Sequence, residues 1–422
     1  GVLALVFLLV NVHRLSTAVL SAPLTGAFDT SAAALGTLHA SFFYVYAAMQ
    51  IPTGGLADRF GPRYVGAAGA IVLSLGAIGF AASDGYLAAF LSRAVVGLGS
   101  SVVFVTILRF CANWFRADEF ATMTGATAGV AALGAILATT PLALVVDAVG
   151  WRAAVAGLGL VGFVAAVAVF VIARGSPVDA GLEPIDGVPE QPDVSLSDTA
   201  RYLRGLATDP VQWLLSVVFF AGMGSLLTLL GLWGVPYLVV VYDLGVTTAS
   251  YYTLLGAIGL LIGGPAIGTV SDRLGRRLLP MTVGLGLFAV ALSVVPLCGR
   301  PPLPAVAAAC FLSGFLVGAP LLALSIVKER YPAGGSGVAT ATVNTAGFVG
   351  AAVFPTLMGL ALDAYRTGEV VGGSVVYTEF GYRVAFAILA GSVAVGFVCS
   401  AWLLVRERTG NVTGAERPDG PT

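Results

Sequence analysis

Charge is what this 422-residue chain has least of: Asp, Glu, Lys and Arg make up 10% of it, against 58% hydrophobic residues and a mean hydropathy of +0.94. Soluble domains carry roughly a quarter charged residues, and 21 basic plus 22 acidic side chains cannot cover a water-soluble body of this size. A soluble enzyme and a disordered scaffold are excluded on that ground. The formal net charge of −1 leaves no basic excess for holding nucleic acid. Histidine is scarcer still, at two residues, and the four cysteines (Cys111, Cys298, Cys310, Cys399) form no CxxC pair. They read as small apolar fillers, so no metal site and no cofactor is expected. No nucleophile–base arrangement stands out, and catalysis is not expected.

Long apolar runs are there instead. About twenty mostly apolar residues make a helix that crosses a bilayer, and that rule gives twelve spans: 2–24, 33–57, 64–82, 86–110, 119–146, 152–173, 210–239, 247–270, 279–297, 302–327, 335–363 and 381–405. The expected fold class is an all-α polytopic membrane protein. The first run is too long for a signal-peptide core and lacks a cleavage site, so it reads as a spanning helix, with the natural N-terminus expected upstream of Gly1. Pro141 and Pro355 are expected to kink spans five and eleven rather than end them. The one long polar stretch, 174–208, carries Pro177, Pro184, Pro189 and Pro192 and an amphipathic segment from Asp198 to Leu206, which makes it a linker rather than a folded domain. The expected domains are a six-helix bundle over 1–174, a cytoplasmic linker over 175–208, a second bundle over 209–406 and a cytoplasmic tail over 407–422. With residue 1 in the cytoplasm, fourteen basic residues fall in cytoplasmic segments and only Arg152, Arg300, Arg366 and Arg383 in outer loops. The positive-inside rule thus predicts a plasma (inner) membrane protein with both termini inside.

The two sets of six spans are related. After span two the chain reads Gly54-Gly-Leu-Ala-Asp58-Arg59-Phe-Gly61-Pro-Arg63, and after span eight Gly268-Thr-Val-Ser-Asp272-Arg273-Leu-Gly275-Arg-Arg277, every match displaced by 214 positions. Pro141 and Pro355 keep that offset; Asp147 with Asp363, and Gly150-Trp-Arg152 with Gly381-Tyr-Arg383, repeat less strictly. Duplicated helical units mark secondary transporters whose site lies between the repeats. Both segments resemble the signature loop of the major facilitator superfamily, GxLaDRxGRR. Span four adds Arg93-Ala-Val-Val-Gly97-Leu-Gly99, similar to that family's RxxxGxG motif. One departure is Pro62, where the family often has a basic residue. Asn113-Trp114-Phe115, Glu119 and Gly150-Trp151-Arg152 resemble the organic-anion and organophosphate branches. The resemblance covers essentially the whole chain. It implies two pseudo-symmetric six-helix halves, alternating access, peripheral spans three, six, nine and twelve, and a gating role for the two loops.

The loop chemistry also stands without the family. Asp58 with Arg59 and Arg63, mirrored by Asp272 with Arg273 and Arg277, forms a breakable cytoplasmic latch, or else merely anchors the loops. Inside the membrane each charge is a functional hypothesis. No Asp or Glu falls near the middle of a span; the arginines within spans are Arg14, Arg93 and Arg109. Arg14, midway along span one with Asn11, Thr17 and Ser21 nearby on the wheel, is the leading anion contact, against structural hydrogen bonding or snorkelling. Span two puts His39, Phe43, Tyr46 and Gln50 on one stripe, suited to a polar cavity wall or to ordinary packing. His39 is the group placed to titrate, while His13 points elsewhere. Arg93 reads as structural within its motif, and Arg109 as snorkelling or pairing with Asp58. In the second half Tyr251, Thr340 and Asn344 are cavity candidates, with Trp233 and Tyr237 divided between cavity and interfacial belt.

Two motifs carry nothing. Gly157-Leu-Gly159-Leu-Val-Gly162 matches a dinucleotide fingerprint inside an apolar span, and Asn411-Val-Thr413 is a glycosylation triplet on the expected cytoplasmic tail. The expectation is a monomeric secondary transporter for a small solute, foremost an organic anion, with the lipid bilayer as its other partner and a coupling proton or cation where uptake needs one. Rival readings are a proton-coupled drug or sugar exporter, weakened by the lack of a mid-span carboxylate, and a non-transporting sensor.

Overall fold

The computed structural model describes residues 1–408 except 51, 184, 186–187, 189–195, 332 and 372–373. Pro184, Pro189 and Pro192 of the linker and the Asn411–Thr413 triplet lie outside the described residues.

The first half comprises α1 (Val2–Leu15), α2 (Thr17–Phe28), α3 (Ala32–Met49), α4 (Pro52–Ala81), α5 (Tyr86–Ser101), α6 (Val103–Trp114), α7 (Ala117–Leu137), α8 (Thr140–Val149) and α9 (Trp151–Ile172). After the connecting α10 (Leu196–Thr208) come α11 (Pro210–Thr228), α12 (Gly234–Tyr242), α13 (Val246–Leu274), α14 (Leu278–Cys298), α15 (Leu303–Leu316), α16 (Gly318–Arg330), α17 (Ala333–Asp363), the hairpin β1 (Arg366–Val371) and β2 (Ser374–Tyr377), and α18 (Glu379–Arg408). Ten helical stretches among the described residues are long and apolar enough to cross a membrane, and two bent pairs, α1–α2 (52°) and α7–α8 (42°), bring the spans to twelve.

The bends have local causes. Ser16 sits at the first, its hydroxyl donating to the His13 carbonyl at 3.1 Å. The second falls at Ala138–Thr139, just before Pro141, which has no N–H for the preceding turn. Pro355, by contrast, lies inside the unbroken α17. In span seven a π-turn, Leu229–Trp233, joins α11 to α12.

One expectation is corrected. The repeated signature segments are not loops: Gly54–Phe60 belongs to α4, which is non-helical only at Gly61 (φ 76°, ψ 159°), and Gly268–Leu274 closes α13 before a left-handed cap at Gly275 (φ 60°, ψ 22°). Ala, Leu, Asp and Arg are tolerated in helices, and the glycine that ends each run takes its positive φ without the steric cost of a Cβ. The connection after span eleven carries a hairpin, in which Val370 pairs with Val375 and Val371 with Ser374. Its signal, Gly-Gly between Val-Val and Ser-Val-Val, is present in the sequence.

Spans one to six pack together, as do seven to twelve. α4 lies against α9, and α14 against α18, on the outer flanks, where Val161, Val164 and Val167 of α9 and Leu287 and Val290 of α14 are exposed to lipid. The halves meet along α3 and α17, across α2 and the π-turn, and between α7–α8 and α13.

Candidate substrate site

The seam is sealed at one end. A Cβ at Gly36 would lie 2.3 Å from the Pro355 carbonyl oxygen, and one at Gly359 2.4 Å from that of Ala32, so α3 and α17 touch backbone to backbone. Beyond them the Asp363 carboxylate accepts from the Ala32 and Ala33 N–H groups at 3.0 and 2.9 Å, while Ser31 takes the Ala34 N–H. One half therefore supplies the anion that caps a helix N-terminus of the other. Ser250 of α13 donates to Thr140 of α8 at 3.0 Å at the same end. At the opposite end, where the signature segments lie, Gly54, Gly55, Gly125, Gly129 and Gly268 would meet no atom within 4 Å if given a Cβ. The halves are closed at the Asp363 end, and these five glycines at the signature end face open space.

The Arg14 cluster lies along this seam. Arg14 is buried in α1, and its Nη1 donates to Asn11 Oδ1 at 3.1 Å while its Nε has no partner. Asn11 in turn donates to the Phe7 carbonyl at 2.8 Å, which fixes its oxygen toward the guanidinium. The Arg14 guanidinium lies 4.9 Å from the Tyr46 ring and 5.1 Å from the Phe348 ring, one from each half. Four residues on from Tyr46, Gln50 Oε1 accepts from Asn344 Nδ2 at 2.9 Å, again across the seam. Among the described residues no Asp or Glu is buried, so the two buried guanidiniums, Arg14 and Arg93, have no buried carboxylate to balance them.

The span-two stripe thus faces the other half along its length. His39 packs on the π-turn at Gly231 and 5.2 Å from the Phe43 ring, both its ring nitrogens without hydrogen-bond partners. Phe43 and Tyr46 meet Phe348 at 6.4 and 4.5 Å. Phe348 carries no polar signal and was missed by sequence reasoning; it stands four residues after Asn344 on the same face of α17. Thr340 lies one turn from Asn344 on that face. Tyr251 is half exposed beside the Ser250–Thr140 contact and is not part of the cluster. Trp233 and Tyr237 are buried rather than interfacial, donating to the Pro355 carbonyl at 3.1 Å and the Gly299 carbonyl at 2.8 Å.

The latch pairs form in part as expected, Asp58 with Arg109 and Asp272 with Arg277. Asp58 is held by Arg109 of α6 at 3.3 Å, not by Arg59 or Arg63. Arg59 stacks on Phe60, and Arg63 donates to the Phe170 carbonyl at 2.7 Å, tying α4 to α9. In the second half Arg277 joins Asp272 to Glu329 of α16, the latter at 2.9 Å, while Arg273 is exposed. Glu329 was not anticipated. Both groups tie spans of one half to each other. Arg93, grouped with the gate by motif, is sixteen residues and so about 24 Å along the span from Arg109. It donates to the His13 carbonyl at 3.4 Å and faces Phe80. Gly97 lets α5 touch the backbone of α3, where a Cβ would fall 2.3 Å from the Phe42 oxygen.

A further tie appears where span seven begins. Asp209 caps α11 through the Val211 N–H at 2.8 Å and takes bonds from the Tyr331 hydroxyl and, at 3.3 Å, Arg330 Nε. Burial pushes its carboxyl up, but these three partners outweigh burial and hold it below the usual carboxylate value.

A family model described as the Major Facilitator Superfamily matches residues 2–355. The chain is 25% identical to a probable sulfoacetate transporter, SauU, of Cupriavidus necator, over 96% of this chain and 92% of that one. It is 26% identical to the hexuronate transporter of Bacillus subtilis, covering 92% and 89%. To the gentisate transporter of Corynebacterium glutamicum it is 26% identical, covering 79% and 74%. In fold it is similar to a bacterial homologue of the human lysosomal transporter Spinster, crystallised inward-facing and unoccupied, with a TM-score of 0.74 and 17% identity over 97% of this chain and 96% of that one.

Proposed function

The chain belongs to the Major Facilitator Superfamily, and from that premise we propose that it carries a small organic anion across the plasma membrane by alternating access, with Arg14 as the charge contact. The observation that carries this reading is a buried guanidinium on the seam between the halves, with one side-chain hydrogen bond and no buried carboxylate beside it. Such a group attracts an anion because its desolvation is otherwise uncompensated. The sulfoacetate, hexuronate and gentisate named for the relatives are all acids, in keeping with this chemistry. The signature end is cytoplasmic on the positive-inside rule, which makes the closed Asp363 end extracellular and the conformation inward-facing.

Transport then proceeds by breaking the Asp363 cap on α3 and the α3–α17 contacts while the signature ends close. Bringing in each negative charge against an interior-negative potential costs about 2.3 kcal/mol per 100 mV. Uptake therefore needs a co-transported cation or an exchanged anion, and His39 at the seam is the side chain suited to carry a proton. The protein acts as a monomer, each half supplying one wall of the site.

Thermal stability of the purified protein against mono- and dicarboxylates, phosphate esters, neutral sugars and lipophilic cations tests the anion reading. A ligand at 100 times its Kd stabilises by about 2.7 kcal/mol. Shifts are expected from anions alone and are lost in Arg14→Gln. Shifts from sugars or cations, or anion shifts that survive the substitution, contradict it.

A further inference from the structure

We infer that the carried anion is an aromatic monocarboxylate, its one charge on Arg14 and its ring against Phe348, an inference that rests on the reading of Arg14 as the anion contact. The charge count comes first. Arg14 and Arg93 are the buried basic side chains among the described residues besides the two histidines, and no Lys or Arg of the second half is buried. Arg93 is turned to the His13 carbonyl and the Phe80 ring, and Arg109 is engaged with Asp58. One guanidinium is thus offered at the seam. A second carboxylate or sulfonate on the same small molecule would be drawn out of water with no cation to meet it.

The walls define the rest. Tyr46 and Phe348 approach the guanidinium at 4.9 and 5.1 Å and each other at 4.5 Å with ring planes 57° apart, and Phe43 lies nearly parallel to Phe348 at 6.4 Å. Aromatic pairs gain from offset or edge contacts that an aliphatic body does not reproduce. Because Tyr46 belongs to the first half and Phe348 to the second, a ring placed on Phe348 with its carboxylate on Arg14 touches both halves. One helical turn further, about 5.4 Å along the axis, the Gln50–Asn344 amide pair supplies neutral donors and acceptors suited to a ring hydroxyl. A hydroxyl opposite the carboxylate spans that step.

The test is ligand affinity of the full-length protein in detergent at neutral pH. Three probes are used: benzoate, cyclohexanecarboxylate (same charge, no aromatic ring) and terephthalate (same ring, two charges). Benzoate is expected to bind roughly tenfold tighter than either of the others, the scale of one good ring contact. In Phe348→Leu the preference over cyclohexanecarboxylate collapses, while cyclohexanecarboxylate binding itself persists. Phe348→Tyr, which keeps the ring, retains the preference and serves where the leucine variant does not fold. Terephthalate or cyclohexanecarboxylate binding as tightly as benzoate, with all binding still lost in Arg14→Gln, overturns this inference and leaves the anion-carrier reading standing. Failure of benzoate to bind the parent protein also overturns it. Benzoate binding unchanged in Arg14→Gln overturns both readings.

Discussion

Arg14 and Asp209 illustrate how neighbours decide what a charged side chain does. Arg14 has one hydrogen bond, to Asn11, and two aromatic rings about it, so its guanidinium retains donors for a ligand. Asp209 is saturated by Val211, Tyr331 and Arg330 and serves structure, pinning span seven to span ten. Its carboxyl is held below the ordinary value, so the stability it contributes is fully present above the unfolded-chain pKa and is lost as pH falls through the lower folded value. Asp209→Ala should therefore cost about 1 kcal/mol near neutral pH, the scale of a helix cap. The gap in Tm between variant and parent should narrow as pH drops below the carboxylate range. A gap that stays constant or widens on acidification contradicts the assignment. Arg14, Asn11, Tyr46, Gln50 and Asn344 were legible in the sequence because a polar group in an apolar run has few reasons to be there. Phe348 was not, since a phenylalanine in a membrane helix gives no sign of the cation it faces. Arg109 was named as a partner for Asp58, whereas Glu329 as a partner of Arg277 was not, because that contact depends on helix packing rather than on spacing.

At the level of elements, the proposed gate is the junction of α3 with α17. Small residues allow backbone contact at Gly36 and Gly359, and Asp363 completes it by capping two N–H groups of the opposite half. Removing that cap should favour separation of the halves at this end by about 1–2 kcal/mol, a shift of roughly 5- to 30-fold in the conformational ratio. Spin labels at Asp29 and Arg366, both exposed there, should report a longer distance population in Asp363→Ala than in the parent. An unchanged distance distribution would show that the cap does not hold the gate. Twelve apolar runs and the 214-residue offset made the spans and their duplication readable. The signature segments were misread as loops because their charges look like loop composition, whereas helix propensity carries the chain on to Gly61 and Gly275. The π-turn at Leu229–Trp233 has no sequence mark at all.

Over the whole molecule, basic residues gather at the signature end, the interior of the described residues holds guanidinium without carboxylate, and the two halves meet backbone to backbone at the Asp363 end. Two bodies sharing a seam suit alternating access, and on the proposed reading selectivity for anions comes from the uncompensated charge placed there. Both statements meet in one experiment. The protein is reconstituted into liposomes loaded with unlabelled organic acid, and entry of the labelled acid is followed for the parent and for Arg14→Gln. The account predicts time-dependent counterflow in the parent, none above protein-free liposomes in Arg14→Gln, and none for a neutral sugar in either. Counterflow of the acid that persists undiminished in Arg14→Gln, or exchange of the sugar by the parent, would contradict it.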